Sequence, residues 1–391
     1  MCDQITAGFL PLLDSAILIT AKERGFAEEE GIDLLLVKET SWANVRDRIA
    51  VGHFDVAHML APMPIAANLG LSPIPMQLAA PMALGFGGNA ISVSNALWAA
   101  MAEFGAGGLD NPAAAGRALR LAIGKRRAAG GSNLRFAVVH PHSGHNFELR
   151  YWLAASGIDP ERDVDIAILP PPLMPDAIAA GRIDGFCVGE PWSSVAVAAG
   201  KAHIVAVKAA IWRQSPEKVL GVGAEWAEGH ADLLQRLLRA LYRSAVWCGL
   251  AKNRAALADM LASDAYLAQP ARLIFGALAG ALETGHGVET VSDFFVPADG
   301  AATFPRQAHA LWLYAQMVRW GQLDHSVANA EKARLSFRPD LYRSAIGPLG
   351  ISIPDEDGST QAGPLFDGAE FDPADLEGYI ARQRGAHNRS E

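Results

Sequence analysis

Cysteine is scarce: the 391 residues hold three, Cys2, Cys187 and Cys248, with no C-x-x-C spacing. An odd number without paired spacing indicates neither a disulfide framework nor a zinc knuckle, and a reducing compartment fits it best. Basic residues are also in deficit. The formal net charge is −9, whereas nucleic acid and anionic membranes call for clustered Lys and Arg to displace counterions. No direct nucleic-acid partner and no membrane partner are therefore expected. No run approaches the ~20 apolar residues of a membrane span. The opening stretch MCDQITAGFLPLLDSA lacks the basic segment and following run of roughly 7–15 apolar residues that export uses. A cytoplasmic location is expected, and Met1-Cys2 leaves open the start of a trimmed lipoprotein.

Standard catalytic signatures are missing too. Gly124-Lys125 has no P-loop glycine at the required spacing, and neither G-x-S-x-G nor G-x-G-x-x-G occurs. Asp14, Asp55, Asp184 and Glu190 fall near expected turns, yet no acid–base pair can be assembled from them. No enzyme and no cofactor are assigned.

The chain does have length and apolar content: half of its residues are hydrophobic and 19% are charged. That is too long for one compact core and ordinary for a soluble two-lobed protein. An internal echo stands out. Asp47-Arg-Ile-Ala-Val-Gly-His-Phe-Asp55 and Asp176-Ala-Ile-Ala-Ala-Gly-Arg-Ile-Asp184 share the frame D-x-I-A-x-G-x-Φ-D. In each, an apolar-periodic helix stops at a glycine suited to the left-handed conformation, and a short buried strand follows. Further strands are expected at 5–9, 32–37, 134–139 and 166–169, with helices at 16–23, 43–51, 147–155, 175–180 and 232 to about 252. Alternation of this kind implies α/β architecture with parallel sheets and covering helices, whose ligands bind beyond the carboxyl ends of the strands.

Several local groups carry chemistry. His140-Pro-His-Ser-Gly-His145 follows an apolar strand, and an H-x-H pair there can seat a metal, so His140, His142 and His145 define a metal-dependent hydrolase as one alternative. Against it, no H-E-x-x-H or other motif supplies further ligands. The other reading has the loop open a helix at about 146 or 147, with His145 beside backbone N–H groups that attract an anion, or simply satisfied by water. Ser41 is a candidate N-cap for a helix that presents Trp42; Trp42 also suits a core-filling role. Lys218, in Pro216-Glu-Lys-Val, reads by itself as a solvated lysine. Gly87-Gly-Asn-Ala90 reads as a turn with one amide.

Across nearly its whole length the chain resembles the nitrate- and bicarbonate-binding solute receptors of ABC transporters, and in particular their cytoplasmic relatives, the NasS-type nitrate/nitrite sensors. The resemblance rests on Gly8-Phe-Leu-Pro-Leu12, Ala21-Lys-Glu-Arg-Gly-Phe26, Ser41-Trp42, Ala57-His-Met-Leu-Ala-Pro-Met-Pro64, Arg150-Tyr-Trp-Leu153, Cys187-Val-Gly-Glu-Pro-Trp192 and Phe366-Asp-Gly-Ala-Glu-Phe-Asp-Pro373. It implies a bilobal periplasmic-binding-protein fold of type II with the ligand cleft between two α/β lobes, lobe one at 1–92 and 205–391 and lobe two at 93–204. It also implies anion ligands at Trp42, Asn89, His145 and Lys218, with Gly189 and Pro191 shaping the second lobe's wall. Asn89 departs from the family, which has the longer glutamine there. The bicarbonate receptors carry an acidic residue where this chain has Lys218 and recruit a metal, so lysine implies nitrate or nitrite with no metal. The donors Lys218, His145, Asn89 and Trp42 suit an ion that only accepts hydrogen bonds. Trp42, Asn89 and Lys218 are expected to face His145 across a cleft that closes by a hinge. NasS-type sensors sequester a NasT-like RNA-binding antiterminator and release it when the anion binds, which implies the same partner here; an exported receptor for the same anion is the alternative.

Overall fold

The structure, a computed structural model, describes residues 2–355 and 363–388; Met1, on which the lipoprotein reading turns, lies outside the described residues. Six strands come first: β1 (Asp3–Phe9), β2 (Ile32–Lys38), β3 (Val56–Leu60), β4 (Leu78–Ala83), β5 (Phe86–Gly87) and β6 (Asn89–Ser94). They are followed by β7 (Leu134–Val138), β8 (Val164–Ile168), β9 (Gly185–Gly189), β10 (Ala202–Val207) and β11 (Lys218–Gly223). Two five-stranded sheets result, one ordered β2-β1-β3-β11-β4 and the other β10-β6-β9-β7-β8. Among the described residues no helix is long and apolar enough to cross a membrane.

The sheets are mixed, where the alternation of elements implied parallel ones. β1 runs parallel to β2 and β3, and β7 to β8 and β9, but β11 enters the first sheet antiparallel between β3 and β4. Likewise β6 and β10 are antiparallel in the second. The physical reason is that a chain crossing between lobes arrives from the far end and pairs antiparallel with the strand already there. The expected lobe limits at 92/93 and 204/205 need the same correction, because both fall inside strands of the second sheet, β6 and β10. The chain changes sheets between β4 and β6 and again between β10 and β11.

The echoed nonapeptides build equivalent structure. Gly52 and Gly181 take positive φ, 73° and 65°, and the strands that follow, β3 and β9, each take the third place in their sheet. The closing aspartates explain why the frame ends in Asp. Asp55 Oδ2 accepts the Thr6 N–H at 2.7 Å while the Asp55 N–H donates to Thr6 O at 2.9 Å. Asp184 does the same with Arg135, at 2.8 and 2.7 Å. Each carboxylate thereby pins its strand's entry to the neighbouring strand.

The region after β11 is not confined to the first lobe. Helix Ala231–Gly249 packs its leucine stripe on the first sheet's helices. The hairpin 281–290, by contrast, bonds to β10 through Ile204 N–H and Thr284 O (3.0 Å), and Tyr151 of the second lobe donates to Asp367 at 2.9 Å.

Candidate functional site

The first lobe's contribution gathers where β1 and β3 end and the antiparallel β11 begins. Helix Trp42–Ala50 starts at Trp42 because Ser41 caps it, its Oγ accepting the Asn44 N–H at 3.2 Å. That start buries Trp42 to 1% exposure, and its Nε1 has no hydrogen-bond partner among the described residues. Lys218 opens β11 and is likewise buried, its Nζ 5.4 Å from the Trp42 ring centre and 2.8 Å from Asp14 Oδ2. His58, a polar residue in the apolar strand β3, completes the group. Its Nδ1 accepts the Leu10 N–H at 3.4 Å, so the ring proton is assigned to Nε2, 2.9 Å from Asp14 Oδ1. Burial pushes the Asp14 carboxyl up, but Lys218 and then His58 outweigh it and hold the group well below the usual carboxylate range. Burial lowers His58, against the pull of Asp14.

The second lobe's contribution comes from helix Gly144–Ala155, β6 and β9. The helix begins two to three residues earlier than the sequence expectation, because Ser143 rather than a later residue caps it, accepting the Asn146 N–H at 3.0 Å. His145 therefore sits inside the first turn, fully buried. Glycine at 144 lets Glu217 approach: a Cβ there would stand 2.0 Å from Glu217 Oε2 and displace it. His145 Nδ1 comes within 2.9 Å of Glu217 Oε1 without full hydrogen-bond alignment, and its Nε2 has no partner among the described residues. Asn89 pairs with Gly189 in the β6–β9 ladder and donates through Nδ2 to Glu148 Oε2 at 3.3 Å, leaving Oδ1 without a partner. A Cβ on Gly189 would lie 3.4 Å from Asn89 Oδ1 and 3.8 Å from His145 Nε2. Glycine thus keeps open the space that these two side chains share.

The two halves meet in one buried ionic network. Glu217 stands 3.7 Å from Lys218 and 3.8 Å from Lys208, and Lys208 pairs with Glu148. Burial drives Glu217 upward, but His145 and Lys218 pull it down to about 2. Glu148 moves the other way: burial raises it, Lys208 only partly offsets this, and Glu217 adds to the rise.

The structure thus brings together Trp42, Lys218, His145, Asn89 and Gly189. Asn89 requires a correction, since it belongs to the second sheet and stands with His145 rather than opposite it. The facing sets are Trp42 and Lys218 against Asn89, His145 and Gly189. Pro191 is placed differently. It follows Glu190, whose backbone joins Gly88 and Leu13 at 2.9 and 2.7 Å, and its own carbonyl accepts the Val195 N–H at 2.9 Å. The histidines of the hydrolase alternative do not converge. His140 and His142 line a separate pocket, and no group of three His, Cys, Asp or Glu suited to a metal occurs among the described residues. Sequence reasoning missed Asp14, His58, Glu148, Lys208 and Glu217 as parts of the network. Two signals were available: a histidine inside the apolar strand Val56–Leu60 needs a buried partner, and the adjacent Glu217-Lys218 pair cannot both be solvated if one faces a core.

This two-lobed α/β architecture, with a buried polar junction where the lobes meet, defines a solute-binding protein of the periplasmic-binding class. The crystal structure of the periplasmic nitrate-binding protein NrtA from Synechocystis PCC 6803 superposes with a TM-score of 0.88 at 27% identity, covering 97% of this chain and 98% of that one. The chain belongs to the NMT1-like family, whose profile matches residues 2–262. It is 34% identical over 390 residues to the nitrate/nitrite binding protein NrtA of Synechococcus elongatus, covering 96% of this chain and 85% of the relative. It is 36% identical over 384 residues to the nitrate import ATP-binding protein NrtC of Synechocystis, covering 96% of this chain but 54% of the relative's length.

Proposed function

We propose that this protein binds nitrate or nitrite between its lobes and releases it unchanged. The observation that carries the reading is the pairing of Lys218 and the unpartnered Trp42 Nε1 with the unpartnered His145 Nε2 across the junction. Nitrate is a small acceptor-only ion, and donors fixed on two lobes can be satisfied by it together only when the lobes are closed. Lys208 gives the junction a second buried cation. One relative named above is a nitrate import protein and the superposed structure is a periplasmic nitrate-binding protein, which supports a transport receptor over the cytoplasmic sensor that sequesters an antiterminator.

Calorimetric titration with nitrate, nitrite, bicarbonate and chloride tests the ligand. Saturable heats are expected for the two nitrogen oxyanions and none for chloride; silence towards nitrate and nitrite would end the proposal. Co-purification with a NasT-like antiterminator separates the two roles: a complex that nitrate dissociates would restore the sensor reading.

A further inference from the structure

We infer that a second site, beside the nitrate site, takes a small amphiphilic monoanion, an alkyl chain with one carboxylate or sulfonate head, and that its occupation strengthens nitrate binding. The site is a cavity of about 410 Å³ between the lobes, within the range of small-molecule pockets. Arg46, Met63 and Leu71 line it from the first lobe, and His140, His142 and Ile168 from the second.

The head end is defined by donors. Arg46 gives its Nε to Asp47 at 2.7 Å, which leaves its two terminal amino groups for another acceptor. His140 is 7% exposed, and its Nδ1 accepts the His142 N–H at 3.0 Å. The neutral ring therefore carries its proton on Nε2, for which the described residues provide no acceptor. Both imidazoles are neutral at physiological pH: burial, then His142 and Arg46, bring His140 down to about 3, while burial and Arg46 bring His142 to about 4. One cation and neutral N–H donors, with one carboxylate already paired, match a monoanion rather than a dianion or a cation. The other end is apolar. Ile168 closes β8 with 47% of its surface exposed, opposite Met63 and Leu71, and covering such a side chain favours an alkyl body.

The coupling follows from what the two sites share. Arg46 lies one helical turn beyond Trp42 on helix Trp42–Ala50, and His142 lies three residues before His145. A ligand that touches both lobes here favours the closed arrangement that the nitrate donors also require, and linkage makes the benefit reciprocal. This part rests on the nitrate reading; binding to the cavity itself does not.

Pentanoate and pentanesulfonate serve as probes, with pentylamine as the cationic control. Calorimetry should show saturable binding of at least one anion and none of the amine. With that anion saturating, the nitrate Kd should fall roughly fivefold or more, the lower edge of typical allosteric coupling. Arg46→Gln, outside the nitrate site, should abolish the probe's effect and leave nitrate binding alone nearly unchanged; His142→Asn should weaken the probe in the same direction. The proposal is overturned if neither anion binds, if pentylamine binds equally, or if the probe competes with nitrate. A protein that takes pentanoate but ignores nitrate would sink the functional reading and keep the cavity site.

Discussion

The two lobes each bury a carboxylate near the junction, and they treat it in opposite ways. In the first lobe Asp14 has Lys218 on one oxygen and His58 on the other, so its charge is matched within the lobe. In the second, Glu190 is fully buried at the end of β9 with only the Ser194 N–H (3.1 Å) on Oε2 and no partner for Oε1 among the described residues. Burial accordingly raises Glu190 to about 7, slightly eased by Ser194, while Asp14 is held down. The difference is that Asp14 is matched within its own lobe, whereas Glu190 keeps an oxygen whose satisfaction depends on a proton or a ligand.

The sharpest way to break this comparison is Lys218→Met, which leaves Asp14 with His58, whose pKa burial lowers, in place of a lysine. Removing one partner of a buried pair costs about 3–5 kcal/mol, so denaturant unfolding should show a loss of that order together with lost nitrate binding. A variant as stable as the wild type would show that Asp14 is not held by Lys218.

The reverse sign is expected at Glu190. Its folded pKa of about 7 lies above the ordinary 4.5, so the folded protein holds the proton more tightly than the unfolded chain. Stability is greatest below about 4.5 and declines as pH rises towards 7. Glu190→Gln should therefore stabilise the protein by roughly 3 kcal/mol at pH 8, from about 1.4 kcal/mol per pKa unit, and by little at pH 4. Thermal melts at the two pH values measure it, and equal gains at both would remove the titration argument.

His145→Ala reports on binding and on Glu217 together. The imidazole Nε2 has no partner among the described residues, so nitrate affinity should fall by about 10- to 150-fold, the equivalent of roughly 1.5–3 kcal/mol. Stability should fall as well, because buried Glu217 loses the imidazole that holds its carboxyl down. An unchanged Kd would take His145 out of the site.

A smaller effect concerns protons. Asp14, Glu148 and Glu217 surround two lysines, and Glu148 is raised by burial, so an entering anion is best accommodated when Glu148 is protonated. Nitrate affinity should weaken with rising pH, by at most about tenfold per unit, and titration in two buffers of different ionisation enthalpy should show proton uptake. Proton release on binding would invert this reading.

The smallest contrast is an expected equality. Asp55→Ala and Asp184→Ala each delete one strand clip and should each cost about 1 kcal/mol or somewhat more; a large disparity in their unfolding midpoints would show that the repeat is not equivalent in the two lobes.

Those clips also show what was legible in the sequence. The nine-residue frame contains its own glycine stop and terminal Asp, so helix end, turn and strand could be read locally, and both copies fold alike. The mixed sheets could not, because the antiparallel entry of β6 and β11 depends on where the chain crosses between lobes, which no local pattern encodes. The same blindness put Asn89 on the wrong side. Trp42, His145 and Lys218 were found through family resemblance, whereas their carboxylate partners lie far apart in sequence, 204 positions in the case of Asp14 and Lys218, and only folding makes them neighbours.

The close approach of Gly144 to Glu217 has a consequence for how this sequence can drift. With a Cβ at 144 placed 2.0 Å from the Glu217 carboxylate, any substitution at 144 obliges the end of the Glu217 side chain to shift. That carboxylate is the one beside His145 and the two lysines, so a change at 144, outside the proposed donors, reaches the anion site through Glu217. The two positions are coupled, and a substitution at either is felt at the other.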